Sequence, residues 1–119
     1  MKSAIHDHRR SPRVRVARIR IGLQQADLTL EGNISSGGVG FEIPSAHRVH
    51  IGDPITVAMS IPELSEPVAL SAMICHVQHR ALVGRQYVGA RFTGNDELVL
   101  NPLDRFVEES ALLSTARPV

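Results

Sequence analysis

Aromatic side chains, cysteine and long apolar runs are all scarce in this sequence, and each scarcity narrows what the chain can be. There is no Trp, one Tyr and three Phe. Proteins that grip single-stranded nucleic acid usually offer a series of aromatic faces on which bases stack. Phe41, Phe92 and Phe106 stand where a core would claim them, so no nucleic-acid partner is expected. The one cysteine, Cys75, cannot form an internal disulfide, which suits a reducing compartment. The longest apolar candidate, Val68 to Cys75, contains Ser71 and is far too short to span a bilayer. The opening residues, MKSAIHDHRR, lack the apolar centre of a secretory signal. A cytoplasmic protein without direct membrane insertion is therefore expected.

Chemistry is equally thin. No paired carboxylates and no phosphate-cradling glycine loop of the P-loop type occur. Cys75 would need a base to act as a nucleophile, and the adjacent His76 should point to the opposite face of a strand. His6-Asp7-His8, and Cys75, His76 and His79, fit no common zinc spacing and lack a second ligand pair. No enzymatic activity, metal or cofactor is expected.

What the chain does have is an apolar fraction of 43% over 119 residues, enough for one folded domain. Its charge is unevenly placed. Lys2, Arg9, Arg10, Arg13, Arg15, Arg18 and Arg20 face a single acid, Asp7, in the first twenty residues, whereas acids outnumber bases in the remainder. A basic leader on an acidic body suits a focused anion site. It equally suits a solvated basic strand face with a basic tail.

Residues 1–12 show no periodicity and read as a flexible basic arm ending at Ser11-Pro12. Alternation then begins at Val14 and Val16 and resumes, shifted by one, at Ile19, Ile21 and Leu23. A β-bulge, or two separate pieces, would produce that slip. Leu28, Leu30 and Ile34 give a second strand, Val39 to Ile43 a third, and Ile55 to Ile61 a fourth. Val68 to Val77, apolar on both faces, reads as a central fifth strand, and Arg85 to Phe92 as a sixth. Six short strands at this spacing predict an all-β antiparallel barrel or sandwich. Asn101 as cap and Pro102 at the first position predict a C-terminal α-helix. The domain is expected over residues 13–110, with a tail over 111–119.

Two short motifs carry the functional reading. Arginine's planar fork grips phosphate and pairs with the O6/N7 edge of guanine. Arg9 and Arg13 are spaced to converge on one ligand if the arm folds tightly, with Arg10 between them. Asn33 and Ser35, in extended backbone, would share one face and can bond a base edge. Gly37, Gly38 and Gly40 would permit positive φ and close approach of a ligand. Taken locally, Asn-Ile-Ser-Ser-Gly-Gly is also ordinary turn chemistry.

Together, Arg9-x-x-x-Arg13 followed by a strand and Asn33-x-Ser35-x-x-Gly38 resembles the two-part signature of the PilZ domain family. Gly-Gly-Val-Gly-Phe at 37–41, Ile51-Gly52-Asp53, and Val88-Gly89-Ala90-Arg91-Phe92 before a helix extend the resemblance over roughly residues 8–110. The resemblance implies a six-stranded barrel that binds cyclic di-GMP. It places Arg9, Arg10 and Arg13 on phosphates and guanine, Asn33 and Ser35 on guanine, and Gly37 and Gly38 where the ligand approaches. Asn33 stands where aspartate is commoner, which removes a charge from the bond. Charge-assisted bonds contribute about 1.5–3 kcal/mol each, and ordering the arm costs about 1–2 kcal/mol per residue. Micromolar binding, about −8 kcal/mol, is the expected net result. The implied role is a receptor whose arm rearranges on binding and regulates a protein partner not identifiable from sequence. The alternatives are a nucleotide-independent PilZ-like adaptor and, further off, a small barrel for single-stranded nucleic acid.

Overall fold

The computed structural model describes residues 13–62, 64–95 and 97–116, with side chains through residue 112. Six strands follow in order: β1 (Val14–Gly22), β2 (Asp27–Ile34), β3 (Gly38–Pro44), β4 (Pro54–Met59), β5 (Val68–Arg80) and β6 (Arg85–Phe92). All pair antiparallel, and the spatial order β1-β2-β3-β6-β5-β4 closes into a barrel where β1 meets β4, with Arg20 opposite Ala58 and Gly22 opposite Thr56. The closing pairing is short, covering Arg20, Ile21 and Gly22 of β1.

Period-two alternation fills the interior. Ile19, Ile21, Ile34, Phe41, Ile43, Val57, Leu70, Ile74 and Val88 are all buried in one core. The slip in the first strand is a bulge inside one continuous strand. Val16 pairs with Gly32 and Ile19 with Leu30, so β1 uses Ala17 and Arg18 where β2 uses only Glu31. The inward face switches phase there, from the half-buried Val14 and Val16 to the buried Ile19 and Ile21.

Two expectations are corrected. β5 is not buried on both faces: Val68, Leu70, Ala72 and Ile74 point inward, while Ala69, Ser71 and Cys75 are exposed. In a closed barrel no strand is central, so each keeps one wet face. β5 also runs on to Arg80, forming with β6 a hairpin whose turn, Ala81–Val83, ends at the left-handed Gly84.

The helix, α1 (Glu97–Ala116), starts a turn before Asn101 and contains Pro102 instead of beginning with it. Val99 and Leu100 pack partly buried against the core, extending the apolar stripe toward the N-terminus. Asn95 fixes the preceding loop, accepting from the Ser71 amide at 2.8 Å and donating to its carbonyl at 2.9 Å. Leu103 and Val107 are fully buried against the barrel, and the helix continues past residue 110.

Candidate functional site

The turn between β2 and β3 is built by short polar contacts. The Ser35 amide donates to the Gly38 carbonyl at 2.9 Å, and the Ser35 hydroxyl donates to the same oxygen at 3.4 Å. The Phe92 amide donates to the Gly37 carbonyl at 2.9 Å, which ties the turn to the end of β6. Ile34, buried between Asn33 and Ser35, points into the core. Its two neighbours therefore share the outer face, where both are half-buried.

From Asn33 a row of outward positions runs around the barrel. Arg15 pairs with Asn33, Asn33 with Gly40, Gly40 with Gly89, and Gly89 with His76. Two glycines in the middle of that row contribute no side chains, and the Tyr87 side chain of β6 reaches over Gly40. Above this floor is a cavity of about 650 Å³ whose walls include Arg13, Asn33, Ser35, Gly37, Gly38, Tyr87 and Arg91. The Tyr87 hydroxyl lies where a Cβ at Gly40 would sit, so glycine there gives the ring its place. Tyr87 meets His76 edge to face, with centroids 6.2 Å apart.

Among the described residues, Arg13 and Arg91 line the cavity and no Asp or Glu does. Arg15, Arg20, Arg80 and Arg85 each lie within 3.8 Å of a carboxylate on Glu31, Asp27 or Glu42. Arg13 and Arg91 have no such partner among the described residues. The basic pattern read along the first strand thus divides: Arg15 and Arg20 pair with acids of β2, while Arg13 borders the cavity.

Of the residues singled out from sequence, Arg13, Asn33, Ser35, Gly37 and Gly38 come together in this cavity. Arg9 and Arg10 lie outside the described residues, as do His6, Asp7 and His8. The reason for the glycines differs from expectation. None of Gly37, Gly38 and Gly40 has positive φ; Gly52, Gly84 and Gly94 do. A Cβ at Gly38 would collide with the Ala90 carbonyl, so glycine at 38 serves the close approach of β3 to β6. At Gly37 a Cβ would meet nothing within 4 Å.

Cys75 and His76 are also corrected. The register of β5 against β6 shifts between Ile74 and His76, and both Cys75 and His76 are exposed and border the cavity. The bulge puts two consecutive side chains on one face. His76, Tyr87 and Arg91 were missed as site residues. Strict alternation from Ile74 would turn His76 inward, and only pairing with β6 reveals the extra residue. Tyr87, Gly89 and Arg91 alternate with inward Gln86, Val88 and Ala90, so the outward face of the sixth strand was legible. Among the described residues, no three His, Cys, Asp or Glu side chains gather as a metal site, and no helix is long and apolar enough to cross a membrane.

The model of the PilZ domain family matches residues 7–109. No curated protein sequence matches the chain. Among solved structures it is similar to the Bacillus subtilis inhibitor of motility, MotI/DgrA, with TM-score 0.72 and 12% identity over 91% of this chain. This chain spans only about half, 53%, of that protein. A pathogenic protein of Xanthomonas campestris, described as a tetrameric PilZ domain assembled through a helical bundle, gives TM-score 0.64 at 13% identity, covering 91% of this chain and 90% of that one. The PilZ domain of CeSA from a cellulose-synthesizing bacterium gives TM-score 0.54 at 15% identity, covering 81% and 96%.

Proposed function

This chain belongs to the PilZ domain family, and we propose that it is a receptor for cyclic di-GMP, which binds on the outer wall of the barrel under the arm of residues 1–12. One observation carries the reading. Arg13 from one half of the signature, and Asn33, Ser35 and Gly38 from the other, line a single cavity with no carboxylate among its described lining residues. A site of that composition favours an anion that also presents hydrogen-bonding edges.

The chemistry divides among the residues. The guanidinium of Arg13 is free among the described residues to bond a phosphate or a guanine O6/N7 edge. The Asn33 amide accepts from and donates to a base edge, and the Ser35 hydroxyl, held only at 3.4 Å by Gly38, can turn toward the ligand. Open space at Gly37 lets the ligand reach the backbone, and Gly38 shapes the wall behind it. His76 and Tyr87 offer ring faces to a purine. Arg9 and Arg10 reach the ligand when the arm folds over it. That closure changes the exposed surface, and a partner protein reads the change. The protein acts as a cytoplasmic adaptor and uses no metal or cofactor.

Titration calorimetry with cyclic di-GMP tests this directly. Wild type is expected to bind in the micromolar range, and Arg9→Ala and Arg13→Ala each to lose about tenfold or more, with unchanged circular dichroism. Absence of heat at ligand concentrations about a hundredfold above micromolar, with a folded protein, refutes the receptor reading and leaves the nucleotide-independent adaptor. Retention of a single-stranded oligonucleotide but not the cyclic dinucleotide would favour the nucleic-acid barrel.

A further inference from the structure

The cavity holds a cation that neither half of the signature supplies. Arg91 stands on β6, opposite Gly38 on one side and Met73 on the other. Neither cross-strand neighbour can neutralise it, and no carboxylate among the described residues forms an ion pair with it. Its side chain is exposed at the cavity wall. Gly38, opposite Arg91, contributes no side chain, and a Cβ at Gly37 would meet nothing within 4 Å.

Arg91 also differs in kind from the arm arginines. Its backbone is fixed by ladders to β3 and β5, so recruiting it to a ligand restricts only its rotamers. An arginine stays charged at any physiological pH and presents a rigid fork of donors. Arg13, just ahead of β1, borders the cavity as well. A cyclic dinucleotide carries two phosphates, and the described cavity lining carries two guanidinium groups, Arg13 and Arg91, without ion-pair partners among the described residues.

We propose that Arg91 is a ligand-binding residue of this site, a barrel-borne partner for a phosphate or guanine edge of the cyclic dinucleotide. The inference rests on the cyclic di-GMP reading and adds to it a cation fixed on the barrel. Arg13 and Arg91 together hold the anion against the rigid wall.

The test is calorimetry with cyclic di-GMP on the full chain at low and physiological salt, comparing wild type, Arg91→Ala, Arg91→Lys and Arg48→Ala. Arg48 is the control, an exposed arginine beside a separate hollow. Arg91→Ala is expected to weaken binding about ten- to hundredfold and to flatten its salt dependence. Arg91→Lys should recover only part, since a point charge replaces the fork. Arg48→Ala should match wild type, and thermal midpoints should not move. If wild type binds and Arg91→Ala binds within about twofold with the same salt dependence, Arg91 is only a solvated strand residue and this inference fails while the receptor reading stands. If wild type does not bind, both fail.

Discussion

Three neighbouring glycines should respond to the same substitution with opposite signs. None of Gly37, Gly38 and Gly40 has positive φ, so alanine is conformationally acceptable at each. Where space is open, Gly→Ala stabilises by about 0.4–1 kcal/mol, because the unfolded chain loses freedom. Gly37 is such a place: a Cβ there meets nothing within 4 Å. At Gly38 the new methyl would collide with the Ala90 carbonyl and approach the Arg91 Cα at 3.1 Å. Those are backbone atoms of a paired strand and cannot step aside. Overpacking of this kind costs about 1–3 kcal/mol. At Gly40 the obstacle is the Tyr87 hydroxyl, the far end of a side chain that can swing away, so the cost should lie between the other two. At about 4 °C per kcal/mol for a domain of this size, Gly37→Ala should raise the thermal midpoint by about 2–4 °C and Gly38→Ala lower it by about 4–12 °C. Urea titration provides the matching change in midpoint at constant slope. Equal stability of Gly37→Ala and Gly38→Ala would refute the close approach of β3 to β6, and with it the geometry of the cavity wall.

Two further outcomes concern the site and the helix. Asn33 has no side-chain partner among the described residues, so Asn33→Asp should leave stability within about 0.5 kcal/mol. It should tighten cyclic di-GMP binding by roughly tenfold, since a carboxylate accepts the guanine N–H with charge assistance, as calorimetry would register. Leu103→Ala removes a fully buried helix side chain, and urea titration should show a loss of about 2–5 kcal/mol.

The fold was readable because its alternation is clean wherever a strand meets the core. Ile55, Val57 and Met59 alternate inward as expected, and the sixth strand spans Arg85–Phe92 as read. What escaped was information held between strands. Two bulges, at Ala17-Arg18 and at Cys75, are defined by which partner residue has no counterpart, and a single strand's sequence does not state that. Hence the slip along the first strand fits either a bulge or two pieces on sequence alone, and strict alternation along the fifth turns His76 the wrong way. The helix start was misread because capping chemistry at Asn101 and Pro102 competes with the apolar contacts of Val99 and Leu100, and the contacts prevailed. In the site, Asn33, Ser35 and Arg13 were visible as chemistry. Tyr87 and Arg91 were not, because a tyrosine or arginine on a wet strand face is ordinary until topology sets it beside a pair of glycines.

The closed core also dictates where any ligand must go. Phe41, Ile19, Ile21, Ile34, Leu70 and Val88 fill the interior with almost no exposure. A barrel of this size has room inside for side chains or for one small ligand, and here the side chains take it. Recognition is therefore pushed to the outer wall, where a sheet ordinarily offers a convex, side-chain-covered surface that holds nothing. Gly40 and Gly89, directly opposite each other on β3 and β6, contribute no side chains there, and the Tyr87 hydroxyl takes the place a Cβ at Gly40 would fill. The β5 bulge turns Cys75 and His76 outward along its rim. The wall itself is held by ladders to β2 and β6 on β3 and to β3 and β5 on β6, so a ligand on it meets a surface already set by the fold.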